Sequence, residues 1–330
     1  MIKPAIKELI SKTLDYTGIS SRKIHGMLNR YPNWLVLMYH RIVTDRKQYD
    51  PFSLGMCVEA NVFDMQLRYL KKHFTVLPVS EVMRKITQHE PLPPNVVSIT
   101  FDDGYKDNLL NAAPILQQHQ VNASVYIATN ILYGEVFWWD RVIQIFAESQ
   151  CADFEIEIES TTYHVRRDRS GVEWLLAYLW QLNSEIKEQI INQLLAGKNI
   201  VKDLSLLYLN EQELQQITQY NFEVGAHTCS HPNLSLMKQS DIESELIGSK
   251  QTLERILQTE INGFAYPGGY IGDQTIDVIK KLNFEYALTT ITGVNSFEQN
   301  PYLIKRMGMP DSSLSDFKRC LSNVLGSREH

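Results

Sequence analysis

The chain has 330 residues and a net charge of −6, with 44% hydrophobic and 21% charged side chains. That balance belongs to a globular protein with room for a large core, and its acidity argues against a general nucleic-acid binder. The four cysteines, Cys57, Cys151, Cys229 and Cys320, form no CxxC pair, which speaks against a disulfide framework or a cysteine zinc site and for a reducing compartment.

Residues 1–33 hold six Lys/Arg against two acids, and Ile6, Leu9, Ile10 and Leu14 share one helical face. They predict a basic amphipathic helix, resting either on an anionic membrane surface or on the domain itself. Lys3, Lys7, Glu8 and Lys12 interrupt the stretch that a secretory signal would keep apolar. No run in the chain reaches the roughly 18–20 apolar residues that cross a bilayer. The expected location is the cytoplasm or the cytoplasmic face of a membrane.

From residue 34 onward strands and helices alternate. WLVLMYH (34–40) reads as a strand ending in a histidine and NVFDMQLRYLKKHF as a helix. TVLPVS (75–80), VVSITF (96–101) and ASVYIAT (123–129) read as strands, with helices EVMRKITQ and KDNLLNAAPILQQH (106–119) between them. The rhythm breaks near 133. FWWDRVIQIFAE looks helical, FEIEIES and TTYHVRR form a hairpin pattern, and VEWLLAYLWQLNSEIKEQIINQLLAG reads as one or two amphipathic helices. Residues of about 133–210 are therefore expected to form an inserted subdomain within a catalytic domain spanning 34–330. After it come helix EQELQQITQ (211–219), strand FEVGAHT (222–228), a helix at 241–258, strand GFAYPGG (263–269), a helix at 273–282 and strand YALTT (286–290). This alternation predicts a mainly parallel sheet, either open or closed into a barrel.

Two stretches carry chemistry. TFDDGY (100–105) puts Asp102 and Asp103 side by side where a strand runs into a loop, and a strand points neighbours to opposite faces. AHTCSHP (226–232) spaces His227 and His231 four apart, so that one helical turn would aim both imidazoles at a common point. Each has a plain alternative: Asp and Gly favour turns, and an isolated HxxxH can be two surface or capping histidines. Position favours function, because both stretches end predicted strands, the edge where parallel α/β proteins gather their sites. Two imidazoles and a carboxylate suit Zn2+, or another first-row divalent ion such as Co2+, Ni2+, Mn2+ or Fe2+. The second carboxylate is then free to take a proton from a metal-activated water. Cys229 stands at i+2 from His227, points elsewhere, and is left out of the site.

In these residues the chain resembles the polysaccharide deacetylases of carbohydrate esterase family 4, which share the NodB homology domain. TFDDGY is similar to that family's first motif, HTCSHP to its second, and FAYPGG (264–269) to a variant of its third. The likeness covers most of 34–310 outside the insertion. It implies an α/β fold, a deformed (β/α)7-type barrel with a mainly helical insertion. It also implies a metal-dependent hydrolase that removes an acetyl or similar acyl group from an amino sugar, in a polysaccharide or in a lipid- or nucleotide-linked precursor. By the same resemblance Asp103, His227 and His231 would bind the metal and Asp102 would be the base, with Thr228 and Pro232 in supporting turn roles. A backbone N–H of the third motif would face the oxyanion, with Gly268 as the candidate donor and Tyr266 beside it.

The chain departs from the family pattern twice. Ala265 stands where the third motif usually carries the arginine that orients the base. Arg306, in YLIKRMGMP, is the first candidate to replace it and Arg41 the second. The Leu-x-His that supplies the family's general acid is absent, since the only histidine beyond 231 is His330. MYHRI (38–42) resembles instead the N-terminal motif of a subgroup acting on poly-N-acetylglucosamine, which makes His40 the candidate acid. In FWWD (137–140), Trp138 and Trp139 offer either a stacking surface for sugar rings or core for the insertion. Asp140 and Arg141 read as a local pair at the barrel mouth or as surface residues, and Asp273 and Asp277 as solvated helix positions. Two competing functions remain: an inactive carbohydrate-binding homologue, which the missing arginine favours, and a two-histidine, one-carboxylate iron oxygenase, which the α/β alternation disfavours.

Overall fold

The computed structural model describes residues 34–151, 153–158, 161–196, 203–296 and 298–326, and the basic segment 1–33 lies outside them. Strand β1 (Trp34–Tyr39) is followed by two three-residue strands that pair with each other, β2 (Arg41–Val43) and β3 (Cys57–Glu59). Next come helix α1 (Ala60–His73), strand β4 (Thr75–Val76), helix α2 (Val79–Thr87) and strand β5 (Val96–Asp103). TVLPVS yields only two strand residues because Pro78 has no N–H for a ladder and instead caps α2. A wide π-helical turn, Asn108–Ala112, leads into helix α3 (Ala113–His119), where Pro114 is confined to the first turn, and then into strand β6 (Ala123–Ile127).

The stretch expected to be an insertion folds as helix α4 (Trp138–Glu148), hairpin β7 (Asp153–Ile158) and β8 (Thr161–Arg166), and helices α5 (Arg169–Leu179) and α6 (Ser184–Leu195). In β7 the alternation of FEIEI is met literally: Phe154, Ile156 and Ile158 are buried and the acids between them exposed. The alternating pattern then resumes with α7 (Glu211–Ile217), β9 (Phe222–Ala226), α8 (Gln239–Leu257), β10 (Gly263–Ala265), α9 (Thr275–Lys281), β11 (Tyr286–Leu288), β12 (Met307–Gly308) and α10 (Leu314–Gly326). Among the described residues no helix is long and apolar enough to cross a membrane.

The main sheet runs β11-β10-β9-β6-β5-β1-β12, every pair parallel, with β4 alongside the start of β5. Its two edges are joined by one stretch of chain. Residues 301–304 exchange hydrogen bonds with Ala287 and Thr289 of the β11 edge, and 307–309 then pair with β1. The sheet thus curls into a barrel, as the parallel alternation and the family resemblance lead one to expect.

Side-chain parity along β5 decides what each residue meets. Val97, Ile99 and Phe101 pack outward under the helices, while Val96 faces an interior layer with Trp34, Val36, Tyr126, Ala265, Leu288 and Ile304. Ser98, Thr100 and Asp102 share the parity of Val96 and so point inward. Two glycines make room for the interior tyrosines: a Cβ at Gly225 would stand 2.4 Å from the Tyr126 ring, and one at Gly263 would stand 2.5 Å from the Tyr286 hydroxyl.

Candidate active site

The site forms at the carboxyl ends of β5, β9 and β10. Asp102 and Asp103 are both 2% exposed, and each has found different partners. Asp102 points inward and meets the guanidinium of Arg306 in a two-pronged pair, Nη1 to Oδ1 at 2.8 Å and Nη2 to Oδ2 at 2.6 Å. Arg306 is fully buried and its fork is fixed on the other side, where Nε donates to the Thr289 carbonyl at 2.9 Å. Burial alone would raise the Asp102 carboxyl, but the Arg306 guanidinium, together with His227, outweighs it and holds the group below the usual range. Of the two arginine candidates, Arg306 is the one that meets Asp102, and Ala265 is a small residue of the interior layer. Arg41 is elsewhere: its Nε pairs with Asp107 at 2.8 Å and its guanidinium lies over the Tyr105 ring.

Asp103 turns the other way. Its φ of 78° takes it out of extended geometry, and Gly104 follows at 95°. Its Oδ1 lies 3.5 Å from Nε2 of His227 and 3.3 Å from Nε2 of His231. A tetrahedral ion with bonds of about 2.0–2.1 Å would keep its ligands about 3.3–3.4 Å apart, which is close to the spacing of Asp103 from each imidazole. Burial pushes the Asp103 carboxyl up, but the neighbouring His227 and His231 rings overcome it and hold the group well below its ordinary value. Burial pushes His231 down, which favours the neutral imidazole a metal needs. His227 Nδ1 donates to the Ala265 carbonyl at 2.7 Å, leaving Nε2 with its lone pair toward the cluster.

The HxxxH segment is not helical, contrary to the spacing argument. It is a loop after β9 in which Thr228 (φ 68°) and His231 (φ 55°) take left-handed geometry. For a β-branched residue such as Thr228 that geometry is strained, at about 1–3 kcal/mol. The loop tolerates it because it is tied at several points. Thr228 Oγ1 accepts from the His231 amide at 3.0 Å, and Glu245 of α8 accepts the amides of Cys229 and Ser230 at 2.8 and 2.9 Å. The imidazoles converge through this turn, with ring centroids 4.6 Å apart. Cys229 points away, its Sγ 3.3 Å from the Glu245 carbonyl, and burial pushes its thiol up to about 11.

His40 directly follows Tyr39, which is paired with Phe101, so it stands level with Asp102 at the barrel mouth. It is partly exposed. Gly268 has φ 59° in the turn after β10, and its amide enters neither of the turn's hydrogen bonds, which run from Gly269 to Tyr266 and from Tyr270 to Pro267. Tyr266 is not a substrate contact: its ring is buried beside Phe264, its hydroxyl donates to the Tyr302 carbonyl at 3.0 Å, and its amide is taken by Leu288.

Trp138 and Trp139 form a wall and not an open platform. Trp139 is 4% exposed, with Phe137 stacked on it at 4.3 Å, Trp180 at 5.8 Å and the His231 ring at 4.7 Å. Both its faces are occupied, so no sugar can stack there. Trp180 and Phe137, neither of them singled out from the sequence as a site residue, each lie 5.5 Å from the His231 ring. This packing fixes His231, whose Nδ1 has no hydrogen-bond partner among the described residues. Behind the wall Trp139 Nε1 donates to the Tyr105 hydroxyl at 3.0 Å, which donates to Asp140 at 2.7 Å, and Tyr208 donates to the same carboxylate. Asp140 is therefore a buried acceptor and no partner of Arg141, which pairs with Glu188 at 2.8 Å. Asp273 and Asp277 are exposed, Asp277 on α9 and Asp273 in the turn before it, not on the helix as expected.

Comparison with known proteins agrees with this geometry. Residues 89–287 match the family described as polysaccharide deacetylase. YxkH of Bacillus subtilis (strain 168) is 19% identical over 273 residues, covering 82% of this chain and 70% of that protein. Among solved structures, the Streptococcus pyogenes deacetylase PplD in complex with acetate superposes with a TM-score of 0.62 at 19% identity, covering 88% of this chain and 99% of that one. A de-N-acetylase from Aggregatibacter actinomycetemcomitans gives 0.58 at 14% identity, with coverage of 88% and 99%. The family match runs through both acidic residues, both histidines and the strand whose carbonyl receives His227, and stops short of His40 and Arg306. On that match the chain belongs to the polysaccharide deacetylase family and is a carbohydrate N-deacetylase, a hydrolase of the bond between an acyl carbon and a sugar's nitrogen.

Proposed function

We propose that the protein is a metal-dependent deacetylase in which Asp103, His227 and His231 hold one divalent ion, zinc first among the candidates, and Asp102 is the base. The observation that supports this is the division of labour between adjacent carboxylates, one among imidazoles at ligand spacing and one locked in an arginine fork. Two neutral nitrogens and one anionic oxygen are a donor set suited to zinc. When bound, the ion supplies Lewis-acid polarisation of the acyl carbonyl and an acidified water.

The chain's own residues do the rest. Asp102, kept ionised by Arg306, accepts the proton of the attacking water as the new C–O bond forms. The Gly268 amide would donate to the carbonyl oxygen as it gains charge. His40 gives a proton to the nitrogen as the C–N bond breaks, so the sugar leaves as an amine and the acyl group as its acid. Acetate is the ligand named for the Streptococcus pyogenes deacetylase, and it is the acid this reaction would release. The substrate we propose is an N-acetylated amino sugar within a polysaccharide or in a lipid- or nucleotide-linked precursor.

A binding-only homologue would have no use for an ionised Asp102, and the arginine whose absence favoured that reading has a counterpart in Arg306. An iron oxygenase of the two-histidine type usually sits on an antiparallel double-stranded β fold, whereas here every main-sheet pair is parallel. The test is mass spectrometry of N-acetylated donors incubated with zinc-loaded protein, scoring exchange of one acetyl for hydrogen. Asp103→Ala or His227→Ala should lose metal and turnover together, whereas His40→Ala should keep the metal and slow turnover by about 10²–10⁴-fold. Full metal content in both ligand variants would remove the triad, and metal loss in the His40 variant would make it a ligand.

A further inference from the structure

A cleft of about 240 Å³ is lined in part by His231, beside residues of the expected insertion. It is smaller than the roughly 300–1,000 Å³ that holds a drug-sized ligand, so it suits one small group of a larger molecule. Trp138, Ser184, Lys187, Glu135 and Glu188 line it together with His231.

Lys187 sets its chemistry. The residue is 7% exposed, and among the described residues its ammonium forms no ion pair or hydrogen bond. It lies 4.6 Å from the centroid of the Trp138 ring and 5.6 Å from that of Trp180. An aromatic face offsets part of the cost of burying a cation, but only part. The two carboxylates on the cleft are engaged elsewhere: Arg141 binds both oxygens of Glu188 at 2.8 Å, and Glu135 accepts from Asn130 at 3.1 Å. Placement adds to the imbalance. Ser184 is the first residue of α6 and Lys187 the fourth, so an unpaired cation sits at the positive end of a helix dipole. The Asn183 side chain caps the Ile186 amide at 3.0 Å and leaves the amides of Ser184 and Glu185 outside that bond. A largely buried cation and a helix N-terminus on one small cleft are both poorly satisfied by protein groups, and an anion entering the cleft would serve both. Burial accordingly pushes Lys187 down to about 8, with Glu188 only partly opposing it.

We infer that this cleft is a subsite for an anionic substituent, a phosphate or a carboxylate carried beside the N-acylated sugar, with Lys187 as the charge that recognises it. The inference takes the identity of the glycan from the deacetylase reading, but the anion site stands on its own geometry. It would make the insertion a selectivity device, favouring glycans with an acidic neighbour over neutral ones.

The test is a calorimetric titration of zinc-loaded protein with three probes: N-acetylglucosamine 1-phosphate, a disaccharide of N-acetylglucosamine and glucuronic acid, and neutral di-N-acetylchitobiose. At least one anionic probe should bind about tenfold tighter than the neutral one, the size of one good charge contact. That ratio should collapse in Lys187→Met and return in Lys187→Arg, and the arm that collapses identifies phosphate or carboxylate as the source. A ratio unchanged in Lys187→Met for both anions overturns the subsite, whatever the absolute affinities do. Selective binding without any acetyl release would sink the deacetylase reading and leave the subsite, while acetyl release with an unmoved ratio would do the reverse.

Discussion

Asp102→Asn should leave the metal content of the protein unchanged and lower turnover by about 10²–10⁴-fold, the usual contribution of a general base. Asparagine matches the shape of the carboxylate, yet it cannot accept a proton at neutral pH. The metal triad is untouched, because Asp102 faces the barrel interior and only Asp103 lies among the imidazoles. The variant also leaves a fully buried guanidinium facing an amide, so some loss of melting temperature is expected alongside. Elemental analysis and single-turnover kinetics on the same preparation separate the two effects. Full turnover with full metal would take the base assignment away from Asp102.

Arg306→Met should be the most damaging single change to stability and should also alter the pH profile. Removing one member of a buried ion pair costs about 3–5 kcal/mol, because the remaining charge is stranded. The sign of the pH effect follows from what is left. In the native site Arg306 holds Asp102 below its ordinary value, so the base form persists well into acid. Its stabilising contribution is present above the unfolded carboxyl value of about 3.9 and fades as pH falls through the lower folded one. With methionine only burial remains, and burial raises the carboxyl. The acidic limb of kcat/KM should therefore move upward by about one to three pH units, the range by which a neighbouring arginine depresses an aspartate. Arg306→Lys, which keeps the charge but not the fork, should fall between the two. An acidic limb that stays in place in Arg306→Met would mean that Asp102 is not the group it reports.

The sequence made the first half of this site readable and hid the second. Asp102, Asp103, His227 and His231 stand in short contiguous motifs at strand ends, where the local pattern and the tertiary position coincide. The geometry inside the motifs was less legible. A four-residue spacing suggests a helix, but Thr228 and His231 sit at positive φ, held by a hydroxyl and by Glu245 from a distant helix. Arg306 was identifiable only as a candidate, since nothing local says that a residue 204 positions away will face Asp102. Tyr266 misled because it stands one residue from the motif's proline and glycines while strand parity buries its ring. Trp180 was hidden in an amphipathic run, where an aromatic reads as a core position, and its place beside His231 depends on how the insertion folds over the barrel. Asp140 read as half of a pair with Arg141 or as a surface acid, and only the fold brings Tyr105 and Tyr208 to it.

The segment that joins β11 to β1 closes the barrel, and Arg306 lies inside it. During synthesis the ligands Asp103, His227 and His231 leave the ribosome well before that segment does. A chain without that segment would keep the three ligands but leave Asp102 without the arginine that holds its carboxyl ionised. Competence for hydrolysis should then arrive in one step, when the last strand docks, and not build up with length. Chains released before residue 301 should bind zinc yet show no turnover, and appreciable turnover from them would argue that the base is armed without the closing strand.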